Sequence, residues 1–142
     1  MEKDDKKLGY LQLIQEPICR MSTISAIFKG FAATIVAGVA VISYDDIHIA
    51  VLGLSFLPVI AFAIIDVYYL MLERQFRFLY NEVAEDKHEV NYSLKIKLTK
   101  KQKKKAKATV CQCLKSPSIW LFYPLLIAVL LTVFILKGCC VI

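Results

Sequence analysis

The fold is decided by residues 56–80, FLPVIAFAIIDVYYLMLERQFRFLY, an apolar run that passes without a break into charged residues. The hydrocarbon core of a bilayer is about 30 Å thick, and a helix of about 20 apolar residues crosses it. Asp66 lies inside the apolar part of this run. A carboxylate in that position is costly, so the segment predicts a membrane-spanning helix whose role exceeds anchoring.

Composition supports an integral membrane protein with three such helices. Hydrophobic residues make up 58% of the 142 residues and the mean hydropathy is +0.57, above the range of soluble domains. The predicted spans are 24–43, 47–72 and 118–136. Lys29 interrupts the first apolar run, which follows a long charged leader, so we expect a retained helix and not a cleaved signal peptide.

Basic residues fix the predicted orientation, because Lys and Arg accumulate on the cytoplasmic side. Residues 74–116 carry a net charge of +8 against +6 for the whole chain. We therefore expect a multi-pass protein of the bacterial inner (cell) membrane, with its N-terminus inside and its C-terminus outside. The predicted organisation is a cytoplasmic segment 1–23 with an amphipathic helix, a hairpin 24–72, a basic cytoplasmic segment 73–116 and a third span with an outer tail 117–142.

Within the basic segment, two elements are predicted after the end of the second span. Apolar and polar residues alternate from 90 to 98, which is typical of a β-strand. A lone strand would pair with a neighbouring subunit or lie extended against a helix. Thr99 is placed to cap a basic helix over 100–114.

Small residues recur every four positions in the first span, at Ala26, Gly30, Thr34 and Gly38. Side chains of this size allow close approach of another helix, which drives association in lipid. The partner helix belongs either to the same hairpin or to another subunit.

Ionisable and polar side chains near the inner membrane surface form the main candidate site. Depth along the hairpin places Lys29 near the level of Asp66, which favours an ion pair between them, although Lys29 alone could extend to the headgroups. Polar residues continue from Asp66 along one side of the same helix. The candidate gating and coupling residues are Lys29, Asp66, Tyr69, Glu73, Arg74 and Arg77.

The lysine-rich part of the cytoplasmic segment predicts binding of an anionic partner. Membrane lipid headgroups are one partner, and a polyanion such as a nucleotide or oligonucleotide is the other. The hairpin tip adds Asp45 and Asp46, which would form an acidic ring at an outer mouth. The predicted anion-binding residues are Lys95, Lys97, Lys100, Lys101, Lys103, Lys104, Lys105 and Lys107.

No combination of residues supports catalysis, so we predict neither an enzyme nor a cofactor. The pair Cys111 and Cys113 has no second pair and no neighbouring histidine, and we predict no metal site.

The motif DVYYLMLERQFRFLY at 66–80, followed by SPSIWLFYP at 116–124, resembles small bacterial three-span membrane proteins of the RipA-like octameric membrane protein group. The resemblance extends to membrane effectors of bacterial anti-phage systems, including those of the Hailong type. It implies a homo-oligomeric channel of roughly four to eight subunits. It also implies a nucleotide or DNA oligomer ligand made by a partner nucleotidyltransferase.

Two functions are consistent with these features. The first is an oligomeric ion channel or pore-type effector gated by a polyanion at the basic segment. The alternative is a non-conducting homo-oligomeric scaffold that binds anionic lipid.

Overall fold

The computed structural model describes residues 2–43 and 49–139, and it confirms the mainly α-helical class. Two helices, Asp4–Ile42 and Leu52–Ala84, are long and apolar enough to cross a membrane. A third span is possible if the helices on either side of Leu121, which meet at 62°, act together. The helices are α1 (Glu2–Ile42), α2 (Ile49–Leu54), α3 (Phe56–Ala84), α4 (Lys100–Lys105), α5 (Val110–Leu114), α6 (Pro117–Trp120) and α7 (Phe122–Gly138).

The chain divides into two compact units, and α1 and α3 contribute residues to both. The first unit consists of Met1–Ser25 and Tyr68–Cys113. The second unit consists of Ala26–Val67 and Leu114–Ile142. The first therefore holds the lysine-rich segment, and the second holds most of the apolar residues.

The core of the first unit joins the N-terminal part of α1 to the C-terminal part of α3. Tyr10, Ile14 and Ile18 of α1 are buried against Leu79 and Val83 of α3. Burying an aliphatic side chain of this size contributes about 1.5–3 kcal/mol. The N-terminal part of α1 thus packs apolar residues at helical spacing against α3, although Leu8 of the predicted amphipathic face is 58% exposed.

The amphipathic helix does not end at Pro17, which lies inside the continuous helix α1. An interior proline removes one backbone hydrogen bond and costs about 3 kcal/mol. The buried residues Ile14 and Ile18 flank it and together offset that cost. Packing on both sides therefore carries the helix through a residue that local propensity would place at its end.

The strand predicted over 90–98 is wrong, because this segment has no regular secondary structure in the structure. Tyr92 has a φ of 52°, which is incompatible with a continuous strand. Val90 and Ile96 instead pack against the core of the first unit. This agrees with the alternative prediction that the segment lies extended against a helix. We call residues 89–99 the strap.

The helix predicted over 100–114 is divided into α4 and α5. Thr99 is the N-cap of α4, as predicted, and its N–H donates to Gln102 Oε1 at 2.9 Å. The helix ends because Lys107 adopts a φ of 52°, and the Ala108 N–H donates to Lys103 O at 2.9 Å. This is a Schellman termination, formed here without glycine.

The second predicted span, 47–72, is interrupted at Ser55, between α2 and α3. Pro58 has no N–H for the Leu54 carbonyl, so an uninterrupted helix would lose a hydrogen bond there. The Ser55 hydroxyl donates to Leu52 O at 2.6 Å and stabilises the break. The hairpin tip with Asp45 and Asp46 lies outside the described residues.

One face of the predicted third span is packed within the second unit, and its other face exposes large aliphatic side chains such as Leu125, so the lipid-facing helix that its lack of interior charge predicts stays a prediction. Tyr123, Leu126 and Leu130 of α7 are buried, and α7 contacts both α2 and α6. These positions follow helical spacing and so form one face. Because nearly every residue of α7 is apolar, hydropathy alone cannot distinguish the packed face from the exposed one.

Candidate functional site

The centre of the second unit contains an ion pair between Lys29 of α1 and Asp66 of α3. Lys29 Nζ lies 2.6 Å from Asp66 Oδ2. The Asp66 side chain is 0% exposed and that of Lys29 is 18% exposed. The structure therefore forms the predicted pair, and Lys29 does not simply extend to the headgroups.

Tyr123 of α7 is a further partner of Asp66 that sequence reasoning missed. Its hydroxyl donates to Asp66 Oδ2 at 3.2 Å, and the contact is buried. An ionised carboxylate accepts several hydrogen bonds, so a buried aspartate paired with one lysine has acceptor capacity left. This unused capacity indicates that Asp66 needs a second hydrogen-bond donor, and a tyrosine hydroxyl in another predicted span is a suitable one. We call Lys29, Asp66 and Tyr123 the polar cluster.

The polar cluster joins three helices of the second unit. Tyr123 comes from α7, whereas Lys29 and Asp66 come from α1 and α3. In the described part of the chain, no buried side-chain nitrogen or oxygen lacks a hydrogen-bond partner. The cluster is therefore a satisfied polar network, which fixes the mutual position of its three helices.

The small-residue stripe of α1 is not used for packing inside the described chain. Ala26, Gly30 and Thr34 are exposed, and Gly38 is half-buried. A Cβ atom built on Gly30 or Gly38 would meet nothing within 4 Å. The stripe therefore does not serve helix packing within one chain, and contact between subunits stays a prediction.

Polar residues of α3 in the first unit lie beyond Asp66 in sequence. Tyr69 is half-buried and lines a cavity that also includes Arg20 of α1. Glu73 is buried, and its Oε1 accepts a hydrogen bond from Arg77 Nε at 2.7 Å. This pair is one helical turn apart, so it stabilises α3 locally.

Arg74 of α3 binds the corner between α4 and α5, residues 106–109, and the helix that follows it. Its Nη1 donates to Lys107 O at 2.7 Å and to Gln112 O at 3.1 Å. These carbonyls lie where the helical hydrogen bonds are interrupted, so the guanidinium supplies donors that the backbone lacks. Sequence reasoning selected Arg74 without identifying these partners.

The strap is anchored to α1 by two tyrosines. Tyr10 donates its hydroxyl to Ser93 O at 2.8 Å and contacts Asn91 Oδ1 at 3.0 Å. The Tyr92 hydroxyl donates to Lys6 O at 3.0 Å. Lys95 and Lys97, which follow on the strap, are exposed.

Acidic residues of the first unit are paired near the end of α3. Lys7 Nζ lies 2.9 Å from Asp86 Oδ1. Lys87 pairs with Glu85, and its hydrogen bond and charge lower the pKa of that exposed carboxyl. These pairs neutralise acidic charge at the turn.

The lysines of α4 and its corner form a basic surface. Lys105 Nζ lies 5.9 Å from the centroid of the Phe78 ring, within the range of a cation–π contact. Lys103 is half-buried, and the remaining predicted lysines of this group are exposed: Lys100, Lys101, Lys104, Lys105 and Lys107.

Within residues 2–43 and 49–139, no group of three or more His, Cys, Asp or Glu side chains is arranged to hold a metal ion. Comparison with protein-family models, curated proteins and solved structures finds no match to this chain.

Proposed function

We propose that this chain is the subunit of a homo-oligomeric ion channel in the bacterial inner membrane, gated by a polyanion. The observation that carries the proposal is the polar cluster, an ion pair enclosed in an apolar unit. Ionisable residues inside membranes are rare and concentrate along ion pathways and gates. The cluster lies in a unit whose helices are apolar enough to cross a membrane.

Oligomerisation follows from the number of helices. A chain with two or three candidate spans has too few helices to enclose a water-filled pore, whereas a ring of copies has enough. The exposed stripe at Ala26, Gly30 and Thr34 is suited to close helix contact between copies. All three long helices also expose large aliphatic side chains, such as Ile27, Ile64 and Leu125, which suit lipid.

The basic first unit supports a polyanionic ligand. Helix α3 contains Asp66 as well as Arg74 and Arg77, so ligand contacts and the polar cluster share one continuous helix. The resemblance of residues 66–80 to anti-phage membrane effectors supports a nucleotide or DNA oligomer made by a partner nucleotidyltransferase. This function requires no metal or cofactor.

Conductance of the purified protein in planar bilayers tests the proposal. We expect ligand-dependent ion currents from the native chain and an altered unit conductance in Asp66→Asn with unchanged native mass. Thr132→Val is the matched control, because it also removes a polar group from a span, and its hydroxyl bonds only within α7 to Ala128 O. Absence of current with nucleotides, DNA oligomers and no ligand would contradict the channel.

One observation favours a non-conducting scaffold as the second candidate. Asp66 is already paired with Lys29 and Tyr123 inside a single chain, as a purely structural role requires. In that case Asp66→Asn weakens the assembly, and membrane permeability is the same with and without the protein. The basic unit would then attach to anionic lipid.

A further inference from the structure

The first unit contains a cavity of about 330 Å³ between α3 and the corner that follows α4. Its volume is within the range of small-molecule sites, which begins near 300 Å³. The side chains that define its chemistry are Arg74, Arg77, Phe78, Asn81, Lys105 and Lys107.

Positive charge dominates this cavity. Four of its lining side chains are cationic, and none of its lining residues in the described chain is acidic. Glu73 is the acidic residue paired to one of them, and it bonds to Arg77 through Nε alone. The two terminal nitrogens of that guanidinium are left for an anion, and a guanidinium fork matches the oxygens of a phosphate group.

Part of the cavity is preorganised for binding. Arg74 is fixed by its two backbone acceptors, so little side-chain entropy is lost when an anion arrives. Lys105 is held over the Phe78 ring. The Asn81 amide adds a neutral donor and acceptor.

We propose that this cavity binds a phosphate ester, with Arg77, Lys105 and Lys107 contacting the phosphate oxygens. Phe78 provides an aromatic face for the organic group attached to the phosphate. The inference rests on the proposed function, because it locates the anion sensor of that channel. The shared chemistry is found both in nucleotides and in phospholipid headgroups.

The experiment measures binding of a fluorescent thymidine dinucleotide with a 5′-phosphate to the full-length protein in detergent. Lys105→Gln is the test variant, and Lys115→Gln, an exposed lysine outside both the cavity and the predicted anion-binding set, is its charge-matched control. We expect affinity to fall about tenfold in the test variant, as for loss of one charged hydrogen bond, and less than twofold in the control. Lys107→Gln repeats the test at a second lining residue.

A parallel arm measures binding to phosphatidylcholine vesicles with and without phosphatidic acid. Loss of affinity confined to the cavity variants in either arm supports the site, and the arm that responds identifies the source of the phosphate. Equal loss in the test and control variants at a given salt concentration overturns the site, because diffuse attraction then explains binding. No binding in either arm also overturns it.

Conductance separates failure of this inference from failure of the proposed function. Currents from a protein that binds no phosphate ester at this cavity would overturn the site and leave the channel standing. Binding at the cavity without any current would support the site and contradict the channel.

Discussion

Replacing Lys29 by Met leaves the Asp66 carboxylate buried without its lysine partner, while the Tyr123 hydroxyl can still donate to it. Removing one member of a buried ion pair costs about 3–5 kcal/mol, because the other charge stays uncompensated. The opposite change, Asp66→Asn, should cost less. Lys29 is 18% exposed, so its amine can turn towards the interface once the carboxylate is gone.

The pair is best measured with a double-mutant cycle. We expect Lys29→Met to cost about 3–5 kcal/mol and Asp66→Asn about 1–3 kcal/mol. The double variant should cost about 1–3 kcal/mol less than the sum of the two single costs, since it leaves no unpaired charge. A favourable coupling of this size identifies the ion pair as a direct contact.

Trp120 gives the assay a local probe. It is the one tryptophan of the chain, and it precedes α7, which carries Tyr123. Its fluorescence in mixed micelles of increasing denaturing detergent would follow unfolding of the second unit. If the single effects of Lys29→Met and Asp66→Asn add within about 0.5 kcal/mol, the two side chains are not coupled and the described pairing is refuted.

Three further changes test other contacts. Tyr123→Phe removes the second donor to the cluster and should lower the free energy of unfolding by about 1.5–3 kcal/mol in the same fluorescence assay, and an unchanged midpoint would contradict the bond. Tyr10→Phe should increase amide hydrogen exchange across the strap, residues 89–99, whereas unchanged exchange would show that the hydroxyl does not anchor it. Gly30→Leu should leave the single chain folded, because a Cβ there meets nothing within 4 Å, but lower the native mass of the assembly. Ile64→Leu, a volume-preserving change on an exposed aliphatic residue of α3, should leave that mass unchanged.

The ion pair and the helical class could be predicted because they depend on strong, local signals. Long apolar segments identify candidate spans, and Asp66 has too short a side chain to reach the membrane surface. A lysine at matching depth was therefore the expected partner of this carboxylate. The structure forms the pair because burying either charge without a partner costs free energy.

The remaining contacts were not predictable because they depend on tertiary packing. Pro17 signals a helix end, but buried neighbours on either side hold α1 together. Apolar and polar residues alternate in the strap as in a β-strand. The structure packs its apolar residues against helices and bonds its backbone to a tyrosine hydroxyl, and no partner strand is needed. Tyr123 lies in a helix that is apolar on all sides, so the hydropathy pattern cannot show which residue faces Asp66.

The predicted energies decide whether the polar cluster can act as the gate itself. A ligand shifts an equilibrium only by its difference in affinity for the two states. Separating Lys29 from Asp66 would cost about 3–5 kcal/mol in each subunit, which requires a difference of roughly a hundredfold or more. Each charged contact, such as the one expected from Lys105, supplies about tenfold, or about 1.4 kcal/mol, so opening the pair would take up nearly the whole contribution of the three proposed phosphate contacts.

Little of the ligand's affinity would then be left for binding, and we therefore expect the pair to stay formed in the open and closed states. In that case Asp66→Asn changes the unit conductance by shifting the helices that the polar cluster holds, but the ligand concentration for half-maximal current shifts less than twofold. Lys105→Gln should do the reverse, because it alters ligand binding in the first unit and leaves the polar cluster of the second intact. A shift above tenfold in Asp66→Asn would mean that the pair opens with the channel, and it would refute the energetic argument.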